Sequence, residues 1–135
     1  MQAAGTGHGA GMTSRLANIA VDALDPERVA AFWCAVLDWQ VLERDEGVVS
    51  LGPAGGSDGC PGIDVVPVLE TKALKNRLHV DLRADGVSRD AELARLLTLG
   101  ARRVDVGQDP DVSWVVLADP EGNEFCLLSR TVQEV

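Results

Sequence analysis

Apolar and polar residues follow two periods along this chain, and the order of those periods repeats. Residues 16–22 alternate at period two, with Ala17, Ile19 and Val21 opposite Asn18, Ala20 and Asp22, which predicts a first strand. Asp25-Pro26-Glu27 then supplies an N-cap, a proline at the first helical position and an acid in the first turn. Val29, Phe32, Trp33, Val36 and Leu37 recur at helical spacing, so a helix with one apolar stripe is expected to about Trp39, and Trp33 reads as a core anchor. Strand patterns return at 40–44, 48–51 and 62–68, separated by the turn at Glu46-Gly47 and a Gly-rich loop over 53–61.

After a connector at 69–74 the order repeats. Residues 75–82 set apolar Leu78, Val80 and Leu82 against Arg77, His79 and Asp81, which predicts a strand with one polar face. Ser88 can cap a second helix striped by Leu93, Leu96 and Leu97, and Gly100 suits a left-handed C-terminal cap. Strands are expected at 102–106, 113–118 and 124–130. The fold class is therefore α+β, two βαβββ modules at about 16–69 and 75–130, repeated by pattern rather than by identity.

A chain of 135 residues, 46% hydrophobic, supports one core, expected over 15–131. The Gly- and Ala-rich residues 1–14 read as a flexible tail, and 132–135 as a C-terminal tail. A net charge of −9 argues against nucleic acid and anionic membrane surfaces as partners. No apolar run reaches the roughly 18 residues of a membrane span, and the start lacks a signal-peptide pattern. Three cysteines, Cys34, Cys60 and Cys126, form no C-x-x-C pair and read as free thiols, so the expectation is a cytoplasmic protein. Phosphate-loop, G-x-S-x-G and H-E-x-x-H motifs are absent, which removes support for nucleotide hydrolysis and serine-hydrolase chemistry. Asp105, Asp109 and Asp111 lack the ordered series of a calcium loop and read as a solvated acidic turn.

Four stretches carry a family resemblance: Asp25-Pro26-Glu27 through Phe32-Trp33, residues 75–82, Leu99-Gly100-Ala101, and Asp119-Pro120-Glu121-Gly122-Asn123-Glu124-Phe125. Together they make residues 16–130 resemble the glyoxalase/bleomycin-resistance, or vicinal oxygen chelate, superfamily, and its actinobacterial glyoxalase-like branch in particular. The resemblance implies curved sheets enclosing a cavity, with helices outside. Arg77, His79 and Asp81 would face that cavity, Leu78 and Val80 would lie under a helix, and Asn18, Ala20, Asp22, Asp64, Val66, Glu124, Cys126 and Leu128 would line it. A homodimer, in some relatives with exchanged modules, is implied as well.

In metal-dependent relatives the ligand positions correspond here to Asn18, His79, Cys126 and Asp64. Asn18 stands where His, Gln or Glu is usual, and a neutral amide is a weak donor. Cys126 stands where Glu is usual. Glu124 cannot replace it, because two residues along a strand span about 6.8 Å against a metal bond of about 2 Å. The resemblance thus implies either one divalent ion (Zn, Ni, Mn or Fe) at a degraded site or none.

Two functions compete for a small-molecule ligand. One is a glyoxalase-like enzyme with lyase or isomerase chemistry on an oxygenated metabolite through a stabilised enolate or oxyanion. His79 and Asp81 would be catalytic, since an imidazole exchanges protons near neutral pH and a carboxylate can orient it. Arg77, Asp22, Trp114 and Glu124 would bind substrate. The other is a protein of the bleomycin-resistance type that sequesters an antibiotic or natural product without reaction. A third, a metal-free cyclase or dehydratase on the same scaffold, is not separated from the first by the sequence.

Overall fold

The computed structural model describes residues 13–56, 60–109 and 111–135. Most of the expected N-terminal tail and the centre of the Gly-rich loop lie outside the described residues. The elements are β1 (Asn18–Ala23), α1 (Pro26–Leu37), β2 (Gln40–Asp45), β3 (Val48–Gly52), β4 (Gly62–Pro67), β5 (Val80–Leu82), α2 (Arg89–Leu99), β6 (Arg102–Arg103), β7 (Val115–Ala118) and β8 (Glu124–Leu127). They form two four-stranded sheets of identical topology, β1-β4-β3-β2 and β5-β8-β7-β6. In each module the first strand pairs in parallel with the last, and the remaining pairs are antiparallel. These are the two expected βαβββ modules of an α+β fold.

One face of each sheet builds a shared core. Val49, Leu51, Ile63 and Val65 from the first sheet and Leu117, Phe125 and Leu127 from the second enclose Val29, Phe32, Trp33 and Val36 of α1 and Leu93 and Leu96 of α2. Side chains on the opposite faces are left to other uses. Local signals set the helix ends. The Asp25 carboxylate accepts from Arg28 N and the Ser88 hydroxyl from Ala91 N, while Asp38 (φ 56°) and Gly100 (φ 118°) close the helices in left-handed conformation. Arg95 of α2, clamped by Glu92, donates to the carbonyls of Ala35 and Val36 at 3.0 and 2.9 Å. A cation therefore satisfies the open C-terminal end of α1.

No ladder joins the two sheets among the described residues. The Asp119–Asn123 turn between β7 and β8 joins the modules instead. Asp119 is fully buried, and its carboxylate accepts from Trp33 Nε1 (3.1 Å), Glu121 N (2.9 Å), Asn123 N (3.0 Å) and Asn123 Nδ2 (3.0 Å). Glu121 reaches back across the interface to accept from Leu24 N and Asp25 N, both at 2.7 Å. Trp33, Phe32 and Phe125 pack edge-on or tilted around this joint, with ring centroids 4.9 to 6.1 Å apart.

Several expected boundaries shift, each for a visible reason. The strand expected over 75–82 is only Val80–Leu82, because Arg77 and Leu78 form a bend and Asn76 N donates to the Glu124 carboxylate. Leu78 is consequently 89% exposed and does not lie under a helix. The strand expected at 102–106 stops at Arg103, since Val106 N and Gly107 N turn to the side chains of Gln108 and Asp105. The strand expected at 113–118 begins at Val115, and that at 124–130 ends at Leu127 with one further bond from Leu128 N to Leu82 O. Helix α1 ends at Leu37 rather than Trp39, and Leu97 stays partly exposed beside the buried Leu93 and Leu96. The C-terminal residues form a 3-10 turn, Val132–Glu134, with a capping box between Thr131 and Glu134.

Two outcomes follow from this packing. Asp119→Ala removes the acceptor for four N–H groups and is expected to lower unfolding free energy by about 3 kcal/mol, read from urea denaturation at constant pH. The second concerns Glu124, where burial opposes ionisation but Lys72 and the Asn76 N–H outweigh it and hold the pKa below its ordinary 4.5. A depressed carboxyl pKa contributes stability that is present above the unfolded value and is lost as pH falls through the folded one. Wild type should therefore lose more stability than Glu124→Gln on acidification below pH 4.5, measured by denaturation midpoints across that range.

Candidate metal centre and ligand cavity

The second sheet uses its free face to floor a cavity of about 520 Å³. Asp81 lies on β5 and is the register partner of Cys126 on β8, which in turn pairs with Val116 on β7. His79 precedes Asp81 by two residues and lines the same cavity. One donor atom each from His79, Asp81 and Cys126 can be chosen so that all lie within 4.8 Å of one another. Imidazole Nδ1 stands 3.2 Å from Asp81 Oδ1. Both side chains are partly open to solvent, whereas Cys126 is buried.

The electrostatics of this trio depend on whether a cation is present. Burial pushes the Cys126 thiol pKa up, and the charge and hydrogen bonding of Asp81 push it further the same way. Left to themselves, these groups keep the proton on sulfur. A divalent cation reverses that preference, because it compensates both the thiolate and the carboxylate. Imidazole, carboxylate and thiolate together fit a borderline-soft ion such as zinc, which these three residues would hold as a Lewis acid beside the cavity.

Other expected site residues divide between this cavity and a neighbouring groove. Trp114, 40% exposed just before β7, and Glu124 complete the cavity together with Lys75 and Asn76 of the connector. A second space of about 620 Å³ lies between β1 and the approach to β5, and brings Asp22 and Arg77 to His79 and Glu124. Asn18 and Asp64 belong to the first sheet, where Asn18 pairs with Gly62 and Asp64 with Ala20 and Ser50. Neither lines the cavity holding the trio. A third, open groove of about 1010 Å³ shares Trp114 with the cavity and carries Arg89 and Arg103.

Sequence reasoning missed the part played by Lys72. It donates to Glu124 at 2.8 Å, and Asn76 N does so at 2.9 Å, so both oxygens of Glu124 hold the connector against β8. The partners are 52 and 48 residues apart, and no local pattern signals such a pair. Nothing in the period-two pattern ranked Asp81 as a metal donor either. Its nearness to a second donor emerges only from its register with Cys126.

No protein of curated function matches the chain in sequence. Among solved structures, the fosfomycin resistance protein FosX from Listeria monocytogenes, in complex with Mn(II) and sulfate, superposes with a TM-score of 0.65 at 17% identity over 91% of this chain and 95% of its own. FosX from Mesorhizobium loti gives 0.64 at 16% identity over 91% and 98%. A glyoxalase/bleomycin resistance protein/dioxygenase family enzyme from Burkholderia phytofirmans gives 0.60 at 20% identity over 84% and 97%. At these identities the likeness establishes the fold. The family follows from the sequence itself: residues 18–128 match the model of the glyoxalase-like domain, nearly the whole extent of the two modules, and the chain belongs to that family.

Proposed function

We propose that the protein is a glyoxalase-like enzyme that acts on a small oxygenated metabolite by stabilising a developing enolate or related oxyanion, with lyase or isomerase outcome. The observation that carries this reading is the convergence of His79, Asp81 and Cys126 on the floor of the cavity. Mn(II) in the Listeria FosX structure supports a divalent ion in this fold. The residues that would hold such an ion are His79, Asp81 and Cys126. When bound, it supplies positive charge next to the oxygen on which negative charge develops.

The chain's own groups account for the rest. Asp81 orients the His79 imidazole through Nδ1, and the cavity lining offers Lys75 as a cation with no salt bridge among the described residues, whereas Lys72 pairs with Glu124. Trp114 offers a flat apolar wall. Arg77 and Asp22 stand across the adjoining groove and would grip the part of the substrate that extends beyond the reacting centre.

The partner that the exposed surface favours is a second copy of the chain. Ile19 and Leu78 line the groove between the modules, Leu69 and Leu74 flank it in sequence, and Leu69, Leu74 and Leu78 are each more than four-fifths exposed. Large apolar groups concentrated on one surface are stabilised by cover. The three free cysteines suit a reducing cytoplasm.

With metal-supplemented protein and a panel of dicarbonyls, hydroxyacids and epoxides, His79→Ala should lower kcat/KM by roughly 10²- to 10⁴-fold. Trp114→Ala should act mainly on KM. Turnover that is unaffected by His79→Ala removes the enzymatic reading. Tight stoichiometric binding of a natural product with no turnover would favour sequestration, the alternative that departures at Asn18 and Cys126 make the natural competitor. Leu78→Glu should weaken self-association about tenfold or more, measured by sedimentation velocity across a dilution series.

A further inference from the structure

The donor set is unusual in two respects: it includes sulfur, and it lies wholly within one module. His79 and Asp81 are two residues apart at the start of β5, and Asp81 and Cys126 face each other across the parallel β5–β8 pair. A tetrahedral centre with bonds of about 2.0 to 2.3 Å separates its donors by roughly 3.4 to 3.7 Å. The trio, already within 4.8 Å, needs only about 1 Å of closure. Rotation of the partly exposed His79 and Asp81 side chains supplies that without moving the buried Cys126 or its strand. Asn18 and Asp64 belong to the other sheet and line no part of this cavity.

We propose that His79, Asp81 and Cys126 form a thiolate-containing zinc-type site, complete within a single chain and independent of Asn18, Asp64 and any second copy. Asp81 is then a direct ligand. The site selects Zn(II) and Co(II) over Mn(II), because thiolate and imidazole favour softer ions and Mn(II) stands lowest in the divalent affinity order. On binding, the sulfur–metal bond replaces the S–H bond and the proton passes to buffer. This inference rests on the proposed role of the trio in holding an ion, but not on any reaction.

Cobalt gives a readout that needs no substrate. Full-length protein titrated with Co(II) should develop the near-ultraviolet thiolate-to-cobalt charge-transfer band with one equivalent per chain. Zn(II) should abolish the band by displacement, and Mn(II) at equal concentration should not. Cys126→Ser should lose the band. Because that residue is buried, the double variant Cys34→Ser/Cys60→Ser is the complementary probe: its remaining thiol is Cys126, and the band must persist. Asp81→Asn should keep the band while weakening Co(II) affinity roughly tenfold or more. Asn18→Ala and Asp64→Asn should change neither band nor affinity. Co(II) bound without the band, no Co(II) bound, a band surviving Cys126→Ser, or loss of the band in Asn18→Ala or Asp64→Asn would each overturn the proposal. A full band in protein that turns over no substrate leaves this coordination intact and removes the enzymatic reading instead.

Discussion

A buried carboxylate holds the two halves of this molecule together. Asp119 lies at the centre of a joint between sheets that share no strand ladder, and all of its described partners are N–H donors. A buried carboxylate costs several kcal/mol unless its lone pairs are met, so the turn from Asp119 to Asn123 is constrained by what Asp119 needs. Trp33 from α1 supplies one of those donors, and its ring also packs on Phe125 at the start of β8. Glu121 extends the same turn to the backbone between β1 and α1. Helix α1, the β7–β8 turn and the start of β8 are thereby fixed relative to one another. The register of β8 is what puts Cys126 opposite Asp81.

That register explains why core and cavity come from the same strands. Phe125 and Leu127 point into the core while Glu124, Cys126 and Leu128 point the other way, as period two requires. A slip of one residue would bury the carboxylate of Glu124 among the aromatic rings and expose Phe125, and the tight turn at Asp119 forbids it. The connector before β5 is fixed from the same strand, since Glu124 holds both Lys72 and the backbone of Asn76. His79 therefore owes its place to a segment with no ladder of its own.

Much of this was legible in the chain. The two helices with their caps, the order of the strands and the module repeat follow from Asp25-Pro26-Glu27, Ser88, Gly100 and the alternation of apolar residues, because each of these signals acts within a few residues. Regularity near the site was overestimated for the same reason. Alternation from Arg77 to Leu82 reads as one strand, but the backbone at Asn76 is claimed by a carboxylate 48 residues away and the chain bends at Arg77 and Leu78. The Asp119–Asn123 turn was recognisable as a turn from its proline and glycine. Its larger part, joining the modules, depends on Trp33, 86 residues distant, and such a pairing leaves no local trace.

A thiol rather than a carboxylate at position 126 changes more than one donor. In a parallel pair, Cys126 stands directly opposite Asp81, so a carboxylate there would face another at short range and the two charges would repel across the strands unless a cation lay between them. A thiol removes that conflict, because it stays protonated in the absence of metal and can share its hydrogen with Asp81. The apo state of the sheet is then stable without an ion, and the free energy of binding need not first relieve like-charge strain. It must instead displace a proton that burial and Asp81 both hold in place. In the proposed site that requirement would filter ions by their affinity for sulfur rather than by charge alone, so Cys126 would set its selectivity.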